Sequence, residues 1–138
     1  MRSLILTIAA AVALAAPVAA QQDPGKRIEA QVFAPELVMK HAAQIGLTAD
    51  QRKQFTSAIG VAQGDLVDLQ WQLSEAAEAM AQALEPARVN DTDALSKLDR
   101  ALDLERQVKR RQMALVIKIK NILTPEQQAK LKELRAKD

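Results

Sequence analysis

Apolar residues along this chain recur with the period of a helix and never with the alternation of a strand. Phe55, Ala62, Leu69 and Ala76 repeat every seven residues, and Ile59, Leu66, Leu73 and Met80 form a second sevenfold series between them. Two interleaved series of this kind lay an apolar seam along one helix face. Nothing breaks the pattern before Leu84. A helix that long, at about 1.5 Å per residue, extends about 50 Å, too far to bury its seam against short neighbours. It needs a second long helix, and residues 93–122 supply one. Leu98, Ala101, Val108, Leu115, Ile119 and Ile122 fall at helical spacings there, with Leu95, Leu102 and Leu104 widening the stripe. Between the two runs, "EPARVNDTD" (85–93) carries Pro86 and three good N-cap residues, Asn90, Asp91 and Thr92. A short connection between long helices predicts an antiparallel hairpin.

The ends of the hairpin are punctuated by one phrase written twice. "LTADQ" occupies Leu47–Gln51 and "LTPEQ" occupies Leu123–Gln127. In each, the threonine hydroxyl (Thr48, Thr124) can accept from the backbone N–H three residues on, while the glutamine (Gln51, Gln127) reaches back to the threonine N–H. That is a capping box, with Leu47 placed as a hydrophobic staple and Leu123 as the matching first residue of the second motif. The first box opens the first long helix and the second opens a short terminal one, "PEQQAKLKELRAK". A further short helix, "PELVMKHAAQI", is expected from Pro35, which suits a first helical turn, to a stop at Gly46. The expected fold is all-α over residues 35–138, four helices in the order short, long, long, short. Residues 21–34, "QQDPGKRIEAQVFA", show no period and read as a flexible arm.

The first 20 residues read differently. Arg2 precedes the apolar stretch "LILTIAAAVALAA", and "PVAA" ends in small residues at Val18 and Ala20. This is the layout of a secretory signal peptide cleaved near Ala20. The run is shorter than the roughly 20 residues that span a bilayer, so no stable membrane insertion is expected. The chain has 19 Lys and Arg against 17 Asp and Glu, and losing Arg2 leaves 18 against 17, a near-neutral balance that does not suit a nucleic-acid binder. Cys is absent, so stability rests on packing or partners, and with 4 Gly, 5 Pro and no Tyr the composition favours long helices.

With both phrases in place, the chain resembles the Spy/CpxP family of periplasmic proteins, whose mark is a pair of Leu-Thr-x-x-Gln motifs in an exported helical chain. The resemblance runs from about Phe33 to Leu134. It implies a cradle-shaped homodimer of long antiparallel helices, located in the periplasm and binding unfolded client proteins without ATP. Some relatives instead act as stress adaptors on the periplasmic domain of a sensor kinase, and others sense or sequester heavy metals.

Candidate chemistry narrows these readings. Metal ligands would have to come from His41, Met39, Met80, Met113 and scattered carboxylates, where a transition-metal site ordinarily gathers several His or Cys. His41 reads as a packed or partly exposed helix residue, and no metal or other cofactor is expected. Nor is an enzyme: there is no Cys nucleophile or Gly-rich phosphate loop, and Glu75, Glu78 and Glu85 read as solvated helix positions. Two surfaces remain. "RQVKRRQMALVIKIK" (106–120) holds Arg106, Lys109, Arg110, Arg111, Lys118 and Lys120 with no acidic residue, interleaved with Met113, Val116 and Ile117. It reads either as a solvated basic face beside the seam or as a surface that captures clients. On the first long helix, Gly60, Gly64, Val67 and Trp71 form a stripe away from the seam, a contact for a second subunit, for the short first helix or for a client.

Overall fold

The computed structural model describes residues 23–138; the signal peptide expected over residues 1–20 lies outside them. The described residues hold five helices and no strand: α1 (Pro24–Glu29), α2 (Pro35–Lys40), α3 (Ala49–Leu84), α4 (Asp91–Ile122) and α5 (Pro125–Arg135). α3 and α4 pack against each other along their lengths, forming the antiparallel hairpin. The turn between them is closed by Asn90, whose side chain accepts from the Asp93 N–H at 3.1 Å.

The seam on α3 buries as the sevenfold series requires: Phe55, Ala62, Leu69 and Ala76 are all under 10% exposed, joined by Ala58. On α4 the buried line is Ala94, Leu104 and Ile119, with Ala101, Val108 and Leu115 half-buried between them. This corrects the expected stripe. Leu95, Leu98 and Leu102 stand 58%, 37% and 51% exposed, while Leu104, read as widening the stripe, is its centre at 1%. The helix is rotated so that Leu104 meets Leu69, Leu73 and Ala76, and the other three leucines turn away from α3.

A second, larger cluster lies at the open end of the hairpin, where α2 and α5 meet. Phe33, Val38, Ile45, Phe55, Ile119, Leu123 and Leu131 pack there, four of them fully buried. Full burial of each such side chain is worth about 1.5–3 kcal/mol, so this base is the most strongly packed part of the molecule. Three features differ from expectation. The segment expected as a flexible arm carries α1, started by Asp23, whose side chain accepts from the Gly25 N–H at 3.0 Å. Its end is anchored: Phe33 is 0% exposed, and the Arg135 guanidinium sits 5.1 Å from the Phe33 ring centroid while donating to the Glu29 and Val32 carbonyls. The helix of α2 ends at Lys40, and hydrogen-bonded turns carry the chain to Gly46. Gly46 does stop it, with φ +65°, a left-handed geometry that glycine adopts without strain.

Candidate functional site

The two repeated phrases meet at the base. Each capping box is complete: Gln51 N–H donates to Thr48 Oγ1 and Thr48 N–H to Gln51 Oε1, and the same pair of bonds joins Gln127 to Thr124. The two glutamines then bond to each other. Gln51 Nε2 donates to Gln127 Oε1 at 2.7 Å, and Gln127 Nε2 donates to Gln51 Oε1 at 2.9 Å. The remaining amide hydrogens go to backbone, from Gln51 to the Ile122 carbonyl at 2.9 Å and from Gln127 to the Gly46 carbonyl at 3.3 Å. Every donor and acceptor of both carboxamides is used, and Gln127 is 8% exposed. The motifs are therefore a joint between the start of α3 and the start of α5, with no polar atom left over for a ligand.

A second polar joint lies beside it. His41, 6% exposed, stands on the turn after α2. Its Nδ1 contacts Gln44 Oε1, and its Nε2 lies 3.0 Å from Asp138 Oδ2. Lys40 Nζ donates to the other oxygen of Asp138 at 2.7 Å. The bond to Asp138, then that to Gln44, raises the His41 pKa above its ordinary value. The Lys40 bond, then the His41 bond, lowers that of Asp138. Among the described residues no three His, Cys, Asp or Glu side chains gather as metal ligands would.

The basic run is the outer, C-terminal half of α4, and the structure sorts its cations into tied and free. Arg106 is held by Asp103 at 2.7 Å, and that bond is the main cause lowering the Asp103 pKa. Arg111 reaches Asp65 on α3 at 3.1 Å, and Lys120 Nζ donates to the Gln31 carbonyl at 2.7 Å. Among the described residues no carboxylate forms an ion pair with Lys109, Arg110 or Lys118. Between these cations Met113 and Ile117 are 38% and 48% exposed, while Val116 is half-buried. The opposite flank of the hairpin, on α3, carries the second stripe. Val67 and Trp71 stand 50% and 69% exposed, and among the described residues a Cβ built on Gly60 or Gly64 would meet nothing within 4 Å. The short-helix contact offered for these glycines is not made, because α2 packs at the base with α5 instead.

Charge is distributed as unevenly as apolar area. From Asp65 round the turn to Glu105, ten Asp and Glu face three Lys and Arg; the other described residues hold fifteen Lys and Arg to seven Asp and Glu. The tip of the hairpin is thus acidic and the base basic. No family model, no curated protein and no solved structure matches this chain.

Proposed function

We propose that the protein is a periplasmic, ATP-independent chaperone of the Spy/CpxP kind, which holds unfolded proteins reversibly on the outer face of α4. The observation that carries this reading is the exposure of Met113 and Ile117 among the unpaired cations Lys109, Arg110 and Lys118. Unfolded chains offer apolar segments to the first pair, and positive charge raises the capture rate of acidic ones. Contacts that lack a fixed shape release a client once folding buries its apolar residues, so no nucleotide is needed. The paired Leu-Thr-x-x-Gln motifs support the family assignment, now as a joint rather than as two separate caps.

The reading includes a homodimer. The acidic tip and basic base favour two copies lying antiparallel, tip against base, and the α3 stripe of Gly60, Gly64, Val67 and Trp71 offers a face that none of the described elements covers. The deciding experiment is suppression of aggregation of an unrelated unfolded protein by the residues 21–138 chain at near-equal molar ratio. Suppression should weaken when Lys109, Arg110 and Lys118 are replaced by Gln, most clearly at low salt, where screening lengths exceed the roughly 8 Å of physiological solutions. Absence of suppression in large molar excess would overturn the chaperone. Sedimentation as a monomer at tens of micromolar would remove the dimer.

A further inference from the structure

The outward line of α4 has a composition that client capture does not require. Leu102, Arg106, Lys109, Arg110, Met113 and Ile117 occupy one sector of the helix: at 3.6 residues per turn they fall within about 100° of arc, nearly opposite the Leu104 contact with α3. Leu102 is 51% exposed, Ile117 48% and Met113 38%. Toward the turn the line ends at Leu102, because the exposed carboxylate of Asp99 occupies the same sector before Leu95. From Leu102 to Ile117 the apolar residues are strung in single file along a rod, with Arg106, Lys109 and Arg110 between them, and no described element stands over them. Such a line fits a partner that is flat, apolar just beneath its surface and negatively charged.

We infer that this line of α4 docks the protein on anionic bilayer surfaces, with Lys109 and Arg110 at phosphate headgroups and Leu102, Met113 and Ile117 at the acyl boundary. An amphipathic helix bound this way buries its apolar side chains about 5–10 Å into the headgroup region and does not span the membrane. That is consistent with the described residues, where no helix is long and apolar enough to cross. Charge complementarity supplies the choice of occupant, because the sector from Leu102 to Ile117 holds Arg106, Lys109 and Arg110 and no Asp or Glu, Asp103 lying at its edge and paired with Arg106. A polyanion without an apolar phase, such as a nucleic acid or polyphosphate, would leave Leu102, Met113 and Ile117 in water. The inference goes beyond the chaperone reading and stands without it.

The test is cosedimentation of the residues 21–138 chain with vesicles of phosphatidylglycerol and phosphatidylcholine, against phosphatidylcholine alone. Binding is expected on the anionic vesicles only, weakening with salt. A cation near such a surface is worth about fivefold in affinity, so Lys109→Gln with Arg110→Gln should cost about 25-fold. Met113→Ser with Ile117→Ser, which leaves all charge in place, should also weaken binding by about tenfold. Lys130→Gln with Lys132→Gln removes equal charge from α5 and should leave binding within about twofold of wild type. All six residues are exposed, and melting curves confirm the fold of each variant. No binding to anionic vesicles overturns the inference. So does binding that the Met113/Ile117 variant keeps in full, or that the α5 variant loses as much as the α4 one, since either would be unspecific attraction of a basic base. Aggregation assays run without lipid report on the chaperone reading alone, so the two can fail separately.

Discussion

Replacing Gln127 by alanine should do far more damage than loss of a capping residue ordinarily does. The side chain accepts from Thr124 N–H at 2.9 Å and from Gln51 Nε2 at 2.7 Å, and donates to the Gly46 carbonyl and to Gln51 Oε1. Losing its share of the capping box costs about 1 kcal/mol, the usual value for a cap. Leaving partners at an 8%-exposed site unsatisfied adds about 1–3 kcal/mol. The expected total is about 2–4 kcal/mol, which for a domain of this size lowers the melting temperature by roughly 8–15 °C. Urea unfolding followed by circular dichroism gives the free energies, with Asn90→Ala as the ordinary cap, at about 1 kcal/mol. Gln51→Ala should be nearly as costly as Gln127→Ala, and the double variant should fall short of the sum by about 1 kcal/mol or more, because the second change removes bonds already broken. If the two costs add within about 0.5 kcal/mol, the glutamines act independently and the joint does not exist.

The His41 joint sets a pH window. His41 is raised, so its contribution is complete below the ordinary imidazole pKa of about 6.5 and is lost as pH rises through the higher folded value; Asp138 is lowered, so its contribution is complete above about 4 and lost below. Melting temperature should therefore peak in mildly acidic buffer and fall toward pH ~8, and His41→Gln should abolish that fall; an unchanged decline in the variant would place the effect elsewhere. The phase of the hairpin seam is tested by two leucines. Leu104→Ala, at a 1%-exposed position, should cost about 2–5 kcal/mol, whereas Leu98→Ala, at 37%, should cost less than about 1; equal costs would mean that α4 is rotated from the position described.

Local chemistry was legible in the sequence, and chemistry that depends on which residues meet across the hairpin was not. Both capping boxes could be read because Thr48 with Gln51, and Thr124 with Gln127, lie within one helical turn. Their mutual bond could not, since it needs the hairpin to return the start of α5 to the start of α3. The α4 seam failed for a related reason. Leucines at 95, 98, 102 and 104 allow more than one helical phase, and only packing against Leu69 and Ala76 selects Leu104. The segment before Pro35 carries no period, yet Phe33 is fully buried there; its signal was the scarcity of aromatics, with 2 Phe in the chain and both in the base cluster. For the α4 surface, the interleaving of Met113, Val116 and Ile117 with cations was visible in the sequence. Which cations are free was not, because the partners of Arg111 and Lys120 are Asp65 and the Gln31 carbonyl, distant in sequence.

The joint at the base also dictates an order of assembly. Contacts around the 85–90 turn link residues close in the chain, and they can form as soon as the first turns of α4 follow α3. The Gln51–Gln127 bonds span 76 positions and the Lys40–Asp138 bond spans 98, so each requires the final helix. Loop closure over such distances is entropically slow and is repaid only when the whole base packs at once. A chain emerging N-terminus first therefore forms an open fork before it forms a closed one, its base cluster lacking Leu123 and Leu131 until residues 123–138 arrive. A protein proposed to shelter the unfinished states of others passes through such a state itself, and its last helix is what ends it.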